Sequence, residues 1–278
     1  IVLKPFSGMI EWITFRILHE PRAFLVANTH TFFNIFSALV FLPITKYYVM
    51  FLERIIPDRK GKKYEDEHLD RLLIETPVAA LKAATQEVIY AADVARNMLN
   101  DSMISMIEGD ESKIDLVLEN EEKINSMQTE ITQYLVEISR KNLDSDQSAK
   151  IPALINTINN FERIGDHCED IIELSQSKIN RKISFSEKGL NELKELYQEV
   201  LEMMDECYQS YSKDDVELAL KAAAREDVVD ELTLKFKGRH IIRLEEGICS
   251  VQAGVIFLDA ITHLERIEDH LHNVCLIV

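Results

Sequence analysis

Two stretches of the chain repeat one acidic pattern: Phe161 to His167 reads FERIGDH, and Leu264 to His270 reads LERIEDH. In each, a Glu and an Asp stand four residues apart, Glu162 with Asp166 and Glu265 with Asp269. That spacing puts two side chains on one face of a helix, so the carboxylates of each pair project side by side. Glu162 and Asp166 continue the line of Ile151, Ile155 and Ile158, while Glu265 and Asp269 prolong Gly254, Leu258 and Ile261. Carboxylates aimed at a partly buried surface repel one another and lose hydration unless protons, basic partners or a cation compensate. A metal ion accounts for several converging at once, and all-oxygen ligation suits hard cations such as Mg²⁺, Mn²⁺ or iron.

A second pair of segments carries acids in register with the first. Glu121-Glu122-Lys123-Ile124-Asn125 matches Glu226-Asp227-Val228-Val229-Asp230 at an offset of 105, and the heptapeptides match at an offset of 103. Two separate segments agreeing on the period indicate an internal duplication. Glu121 falls in line with Ile114, Val117 and Leu135, and Glu226 and Asp230 hold the equivalent place in the second copy. The candidate metal ligands are therefore Glu162, Asp166, Glu265, Asp269, Glu226, Asp230 and Glu121. His272 follows Asp269 by one turn where the first copy has Glu169, so the two sites need not be equivalent. The competing reading of one isolated E-x-x-x-D is a solvated helix edge or a partner for the neighbouring Arg163. Repetition at matched positions is what favours the metal.

These acids require helices to carry them, and the apolar spacing supplies them almost without pause after residue 63. Leu69, Leu72, Leu73, Leu81, Val88, Leu99, Met103 and Met106 mark a first helix over 69–107, ended by Glu108-Gly109-Asp110. A second runs from Ser112 to Asn142. Asp144-Ser145-Asp146 caps a third over 147–176, because short polar side chains accept the orphan N–H groups of a first turn. Ser184-Phe185-Ser186-Glu187 caps a fourth ending near Tyr211, followed by a fifth over 213–245 and a sixth over 249–278. Long helices with short breaks fold back into bundles. The expected fold is all-α: a transmembrane helical segment, then a duplicated three-helix bundle with its first copy over 64–178 and its second over 179–278.

Composition narrows the function. The net charge of −17 hides an asymmetry: residues 1–63 carry nine Lys and Arg against four Asp and Glu, and the rest carry 22 against 44. So acidic a body repels nucleic acid and attracts cations. The four cysteines, Cys168, Cys207, Cys249 and Cys275, form no C-x-x-C pair and read as buried free thiols in a reducing compartment. Without G-x-x-x-x-G-K-[ST], G-x-G-x-x-G or G-x-S-x-G, nucleotide hydrolysis and serine hydrolase chemistry lack their parts, and the chain reads as no enzyme.

The front differs in kind. Ala23 to Thr45 runs 23 residues with His30 its only ionisable side chain, enough to cross a hydrocarbon core of about 30 Å. Arg54, Arg59, Lys60, Lys62 and Lys63 follow it, and positive charge flanking a span marks the cytoplasmic side. Residues 1–55 are expected to be the end of a membrane domain, 56–63 a basic linker and 56–278 cytoplasmic. The opening, IVLKPFSGMIEW, has neither a basic start nor a cleavage site, so the chain reads as a piece of a longer, multi-pass membrane protein.

ERIGDH and ERIEDH, each in the third helix of a duplicated three-helix unit, resemble the E(D)xxxD signature of PhoU-like domains along residues 64–278. The resemblance implies multinuclear metal clusters, commonly iron or zinc, held by Glu162, Asp166, Glu265 and Asp269 with Glu226 and Asp230, in a cytosolic regulator of phosphate transport or signalling. Asn125 departs from the pattern by placing an amide where the second copy has Asp230. Separately, ANTHTFFNIFSALVFLP, Ala27 to Pro43, is similar to the closing membrane segment of bacterial sodium-dependent phosphate cotransporters, some of which carry a PhoU-like tail. That implies Na⁺ and inorganic phosphate as ligands of the parent protein, with the substrate-binding repeats upstream of Ile1. Its expected partners are the membrane, phosphate, Na⁺ and a second copy of the chain. The alternatives are a membrane-anchored regulator of a separate transporter or sensor kinase, and a di-iron oxidase. The oxidase wants Glu-x-x-His on its ligand helices, a spacing found only at Glu65 to His68 by the linker.

Overall fold

The computed structural model describes residues 11–12, 15–16, 29–39, 41–42 and 69–278. The chain divides into two units, Ile1–Asp66 and Glu67–Val278. In the first, 29–39 and 41–42 are helical, with Ile35, Leu39 and Leu42 exposed. The rest of the expected span over 23–45, and the basic linker 56–63, lie outside the described residues. Among the described residues no helix is long and apolar enough to cross a membrane.

The second unit is all-α. Its helices are α1 (Pro77–Glu108), α2 (Ser112–Ile138), α3 (Ser145–Asn180), α4 (Glu187–Lys213), α5 (Val216–Ala223), α6 (Glu226–Glu245) and α7 (Val251–Cys275). No strand occurs among the described residues. Local chemistry sets most of the boundaries. Gly109 adopts the left-handed conformation, φ 76°, that terminates α1, and its N–H returns to the Ser105 carbonyl. At the start of α3, the Asp144 carboxylate accepts from the Gln147 N–H at 2.8 Å, while the Gln147 side chain accepts from the Asp144 N–H in a capping box. The Ser186 and Ser250 hydroxyls cap α4 and α7 in the same manner.

Two boundaries differ from the sequence expectation. The first helix begins at Pro77 rather than residue 69, because Asp70 caps a separate 3₁₀ turn, Arg71–Glu75, and proline prefers the first helical position. The fifth expected helix is two helices. At the break the Arg225 N–H bonds the Ala222 carbonyl, an i→i−3 turn, and the Arg225 side chain is drawn to Glu199, Glu202 and Glu206 of α4. The expected six-helix unit thus has seven helices.

α1, α2 and α3 pack on one another, as do α4, α6 and α7 with α5, and the two groups join along α1 with α4 and α3 with α7. Ala80, Ala84, Ala91, Ala92 and Ala95 of α1 are fully buried, and such small side chains let a helix lie close to several neighbours. Met98, Phe161, Phe236 and Phe257 fill the continuous core around them. Of the stripes expected to face inward, Ile151, Ile158, Gly254 and Ile261 are buried, and Ile155 and Leu258 are half-buried against the core. Each acidic pair thereby sits at the end of an apolar ridge. Among the four free thiols, Cys168, Cys207 and Cys275 are buried and Cys249 is partly exposed.

Candidate metal centre

α2 and α3 bring Glu121, Glu162, Asp166 and Glu169 together in the first repeat. Burial, then the charges of Asp166 and Glu121, raise the Glu162 pKa, and burial with Glu121 as the leading charge raises that of Glu169. Arg163 leans back over the pair, its Nε 3.6 Å from Glu162 and its Nη1 3.3 Å from Asp166. Asn125 donates its amide N–H to Glu121, while its Oδ1 is buried with no hydrogen-bond partner. The amide that stands where the second copy has an acid therefore still turns an unsatisfied oxygen inward.

α6 and α7 gather Glu226, Asp230, Glu265 and Asp269 in the second repeat, and they surround a residue the sequence argument passed over. Glu268 is fully buried, and both its carboxylate oxygens lack a hydrogen-bond partner. Burial first, then the charges of Asp269, Glu226, Asp230 and Glu265, push its pKa up to about 8. Its counterpart in the first repeat is Gly165, where an added Cβ would come within 3.0 Å of Ile124 Cγ2. The same register holds close helix packing in one copy and a buried acid in the other.

Nitrogen-bearing side chains engage the rim of this second group. Lys237 Nζ lies 2.7 Å from Glu265, Arg266 Nη1 lies 3.1 Å from Asp269, and His272 Nδ1 lies 2.9 Å from Glu226. His272 is thus in polar contact with a candidate ligand, and a metal would compete with it there. The orphaned oxygens of Glu268 are what fit an oxygen-preferring cation: a buried carboxylate without a partner is costly, and Glu268, with Glu265 and Asp269 beside it, would hold a divalent ion that relieves both desolvation and repulsion.

The seven predicted acids therefore gather as two separate groups, one per repeat. Among the described residues, however, the tight cluster of metal-ligating side chains is a different one: His167 and Asp170 of α3 with His263 of α7. The two Nδ1 atoms are 3.3 Å apart, and each lies 3.4 Å from Asp170 Oδ2. The sequence held two of these three residues, a His and an Asp one turn apart at 167 and 170, whereas His263 reaches them only through the packing of α3 on α7.

An all-α body of two helical bundles, each presenting paired acids on its last helix, defines the class. Its family follows from comparison: the PhoU domain model matches residues 88–175 and again 193–278, together more than half of the chain. The chain belongs to the PhoU domain family. It is 27% identical over 208 residues to phosphate-specific transport system accessory protein PhoU homolog 1 of Thermotoga maritima, covering 74% of this chain and 88% of that protein. It is 24% identical to the putative inorganic phosphate export protein YjbB of Salmonella typhimurium, across 90% of this chain and 47% of that protein. The Escherichia coli YjbB matches at 24% identity over 96% of this chain and 50% of its own length, so the chain spans about half of these relatives. In structure it is similar to PhoU from Pseudomonas aeruginosa, with a TM-score of 0.68 at 21% identity, covering 71% of this chain and 94% of that one. PhoU from Streptococcus pneumoniae gives a TM-score of 0.64 at 18% identity over 72% and 93%.

Proposed function

We propose that the chain is the C-terminal portion of a membrane protein that moves inorganic phosphate, and that its PhoU domain is a metal-binding regulator of that movement on the cytoplasmic side. The observation that carries this is the reach of the similarity. It runs over 254 residues of the Salmonella protein and 271 of the Escherichia coli one, beyond the PhoU domain into the uncharged stretch Ala23 to Thr45. A regulator tethered to its transporter needs no search for a partner, because the linker fixes a high effective concentration. Sodium is the proposed driving ion and the membrane the proposed location, with residues 1–55 closing the membrane domain. Iron, zinc, Mn²⁺ or Mg²⁺ is the proposed occupant of the acids, held in the second repeat by Glu226, Asp230, Glu265, Glu268 and Asp269 and in the first by Glu121, Glu162 and Asp166. Such an ion would supply fixed positive charge, through which an otherwise acidic body can attract phosphate.

The test is radiolabelled phosphate flux, inward and outward, in cells producing the full parent protein with and without residues 64–278. Na⁺-dependent flux whose rate changes on removing the tail is the expected result. No flux in either form, with both proteins in the membrane, would sink this reading and favour an anchored regulator of a separate transporter. The match to an accessory protein in Thermotoga maritima keeps that second reading in play.

A further inference from the structure

The geometry points to a tetrahedral transition-metal site, best suited to Zn²⁺, formed by His167 Nδ1, Asp170 Oδ2 and His263 Nδ1, which clamps the two repeats together where α3 packs on α7. It uses none of the residues of the acidic groups.

Three distances carry the assignment. The donor atoms form a nearly equilateral triangle with edges of 3.3, 3.4 and 3.4 Å. Those edges are long for hydrogen bonds, since a charged N–H to a carboxylate settles at about 2.7–2.9 Å. They are the edges of a coordination tetrahedron: Zn–N and Zn–O bonds of about 2.0–2.1 Å at the tetrahedral angle separate neighbouring ligand atoms by about 3.3–3.4 Å. An octahedral ion with bonds of about 2.1 Å would draw them to about 3 Å. Two imidazole nitrogens and one carboxylate oxygen also select a borderline ion such as zinc over Mg²⁺ or Ca²⁺. With three protein ligands the fourth position remains for water, and solvent reaches it, because Asp170 is 47% exposed while the two histidines are about half as exposed, at 21% and 23%.

The duplication supplies an internal control. Shifting by the 103-residue period turns His167, Asp170 and His263 into His270, Asn273 and Asn160. On that related side His270 Nδ1 meets the Asn160 amide oxygen at 3.0 Å, an ordinary hydrogen bond. The copy with ligand-type side chains has ligand-type spacing, and the copy with amides has hydrogen-bond spacing.

The experiment is titration of the metal-stripped chain with Co²⁺, read by visible absorption, followed by displacement with Zn²⁺. Tetrahedral Co²⁺ with nitrogen ligands absorbs strongly, and octahedral all-oxygen Co²⁺ absorbs weakly, so one spectrum separates this site from the acidic groups. One equivalent should give the intense band. H263Q should abolish it, D170N should weaken binding at least tenfold, and the pairs E162Q/D166N and E265Q/D269N should leave it intact. Circular dichroism confirms that each variant is folded. Should H263Q fail to fold, D170N, which changes a half-exposed side chain, decides alone. Absence of the intense band in the unaltered chain, or its survival in a folded H263Q and in D170N, overturns the proposal.

Discussion

Replacing Arg225 with Met should destabilise the helical unit by about 3 kcal/mol, almost entirely through charge. Arg225 stands at the break between α5 and α6 with its side chain 20% exposed. Its Nε and Nη2 grip the two oxygens of Glu206 at 2.8 and 3.2 Å, Nη1 reaches Glu199 at 2.9 Å, and Nη2 also lies 3.0 Å from Glu202. A forked, charge-assisted pair with a mostly buried carboxylate is worth about 1.5–3 kcal/mol. The more exposed Glu199 and Glu202 add about 0.2–1 kcal/mol each. Met keeps the apolar stem but leaves three acids on one face of α4, with Lys221 still paired to Glu206 at 2.6 Å. For a unit of this size, about 3 kcal/mol lowers Tm by roughly 6–12 °C. The pH dependence identifies the cause. Hydrogen bonds from Arg225, then those from Lys221, hold the Glu206 pKa below its ordinary 4.5 in the fold. The stabilisation is therefore present above that value and lost as pH falls through the lower folded pKa. Thermal melts by circular dichroism should find the full gap between wild type and R225M at neutral pH, a narrowing gap as pH falls below 4.5, and partial recovery in R225K. A gap of the same size across the whole range would mean that the stem's packing, not the fork, was lost, and the reasoning would fail.

Three further outcomes are expected. In metal-stripped protein kept in chelator, the carboxyl of Glu268, with its pKa near 8 against an ordinary 4.5, favours the fold while protonated. Wild type should then lose up to roughly 4–5 kcal/mol as pH rises from the lower value to the higher, and Glu268→Gln should lose much less; an identical pH dependence of unfolding free energy in urea melts of the two would refute the buried, unpaired placement. Glu192→Gln leaves Arg243, 2.6 Å away and 5% exposed, without its buried counter-charge and should cost about 3–5 kcal/mol, whereas Glu192→Leu with Arg243→Met together should fall well short of that. Gly165→Ala adds a methyl 3.0 Å from Ile124 Cγ2. Its helix-propensity gain of about 1 kcal/mol should be outweighed by overpacking of about 1–3 kcal/mol, a net loss visible in urea melts.

The helices were legible because their signals are local. Asp144, Ser186 and Gly109 act on N–H and C=O groups within four residues of themselves, so the ends of α1 and starts of α3 and α4 could be read along the chain. The break at Arg225 could not, since neither glycine nor proline marks it and its anchors, Glu199 to Glu206, lie on another helix. The placement of paired acids was legible for the same reason: a spacing of four fixes a shared face whatever packs against it. Glu265 and Asp269 announced themselves as a pair, while nothing along the chain singled out Glu268 between them.

What the sequence determined by itself, then, was the all-α class, the duplication and which faces carry carboxylates, because these depend on periodicity and on groups one or two turns apart. Tertiary structure decided which side chains lose their water and which meet across helices. Burial made Glu268 an orphaned acid where Gly165 packs a helix, and the contact of α3 with α7 brought His263 to His167 and Asp170 across 96 residues of chain. Desolvation and ligand convergence are properties of three-dimensional neighbourhood, and no spacing along a single helix encodes them.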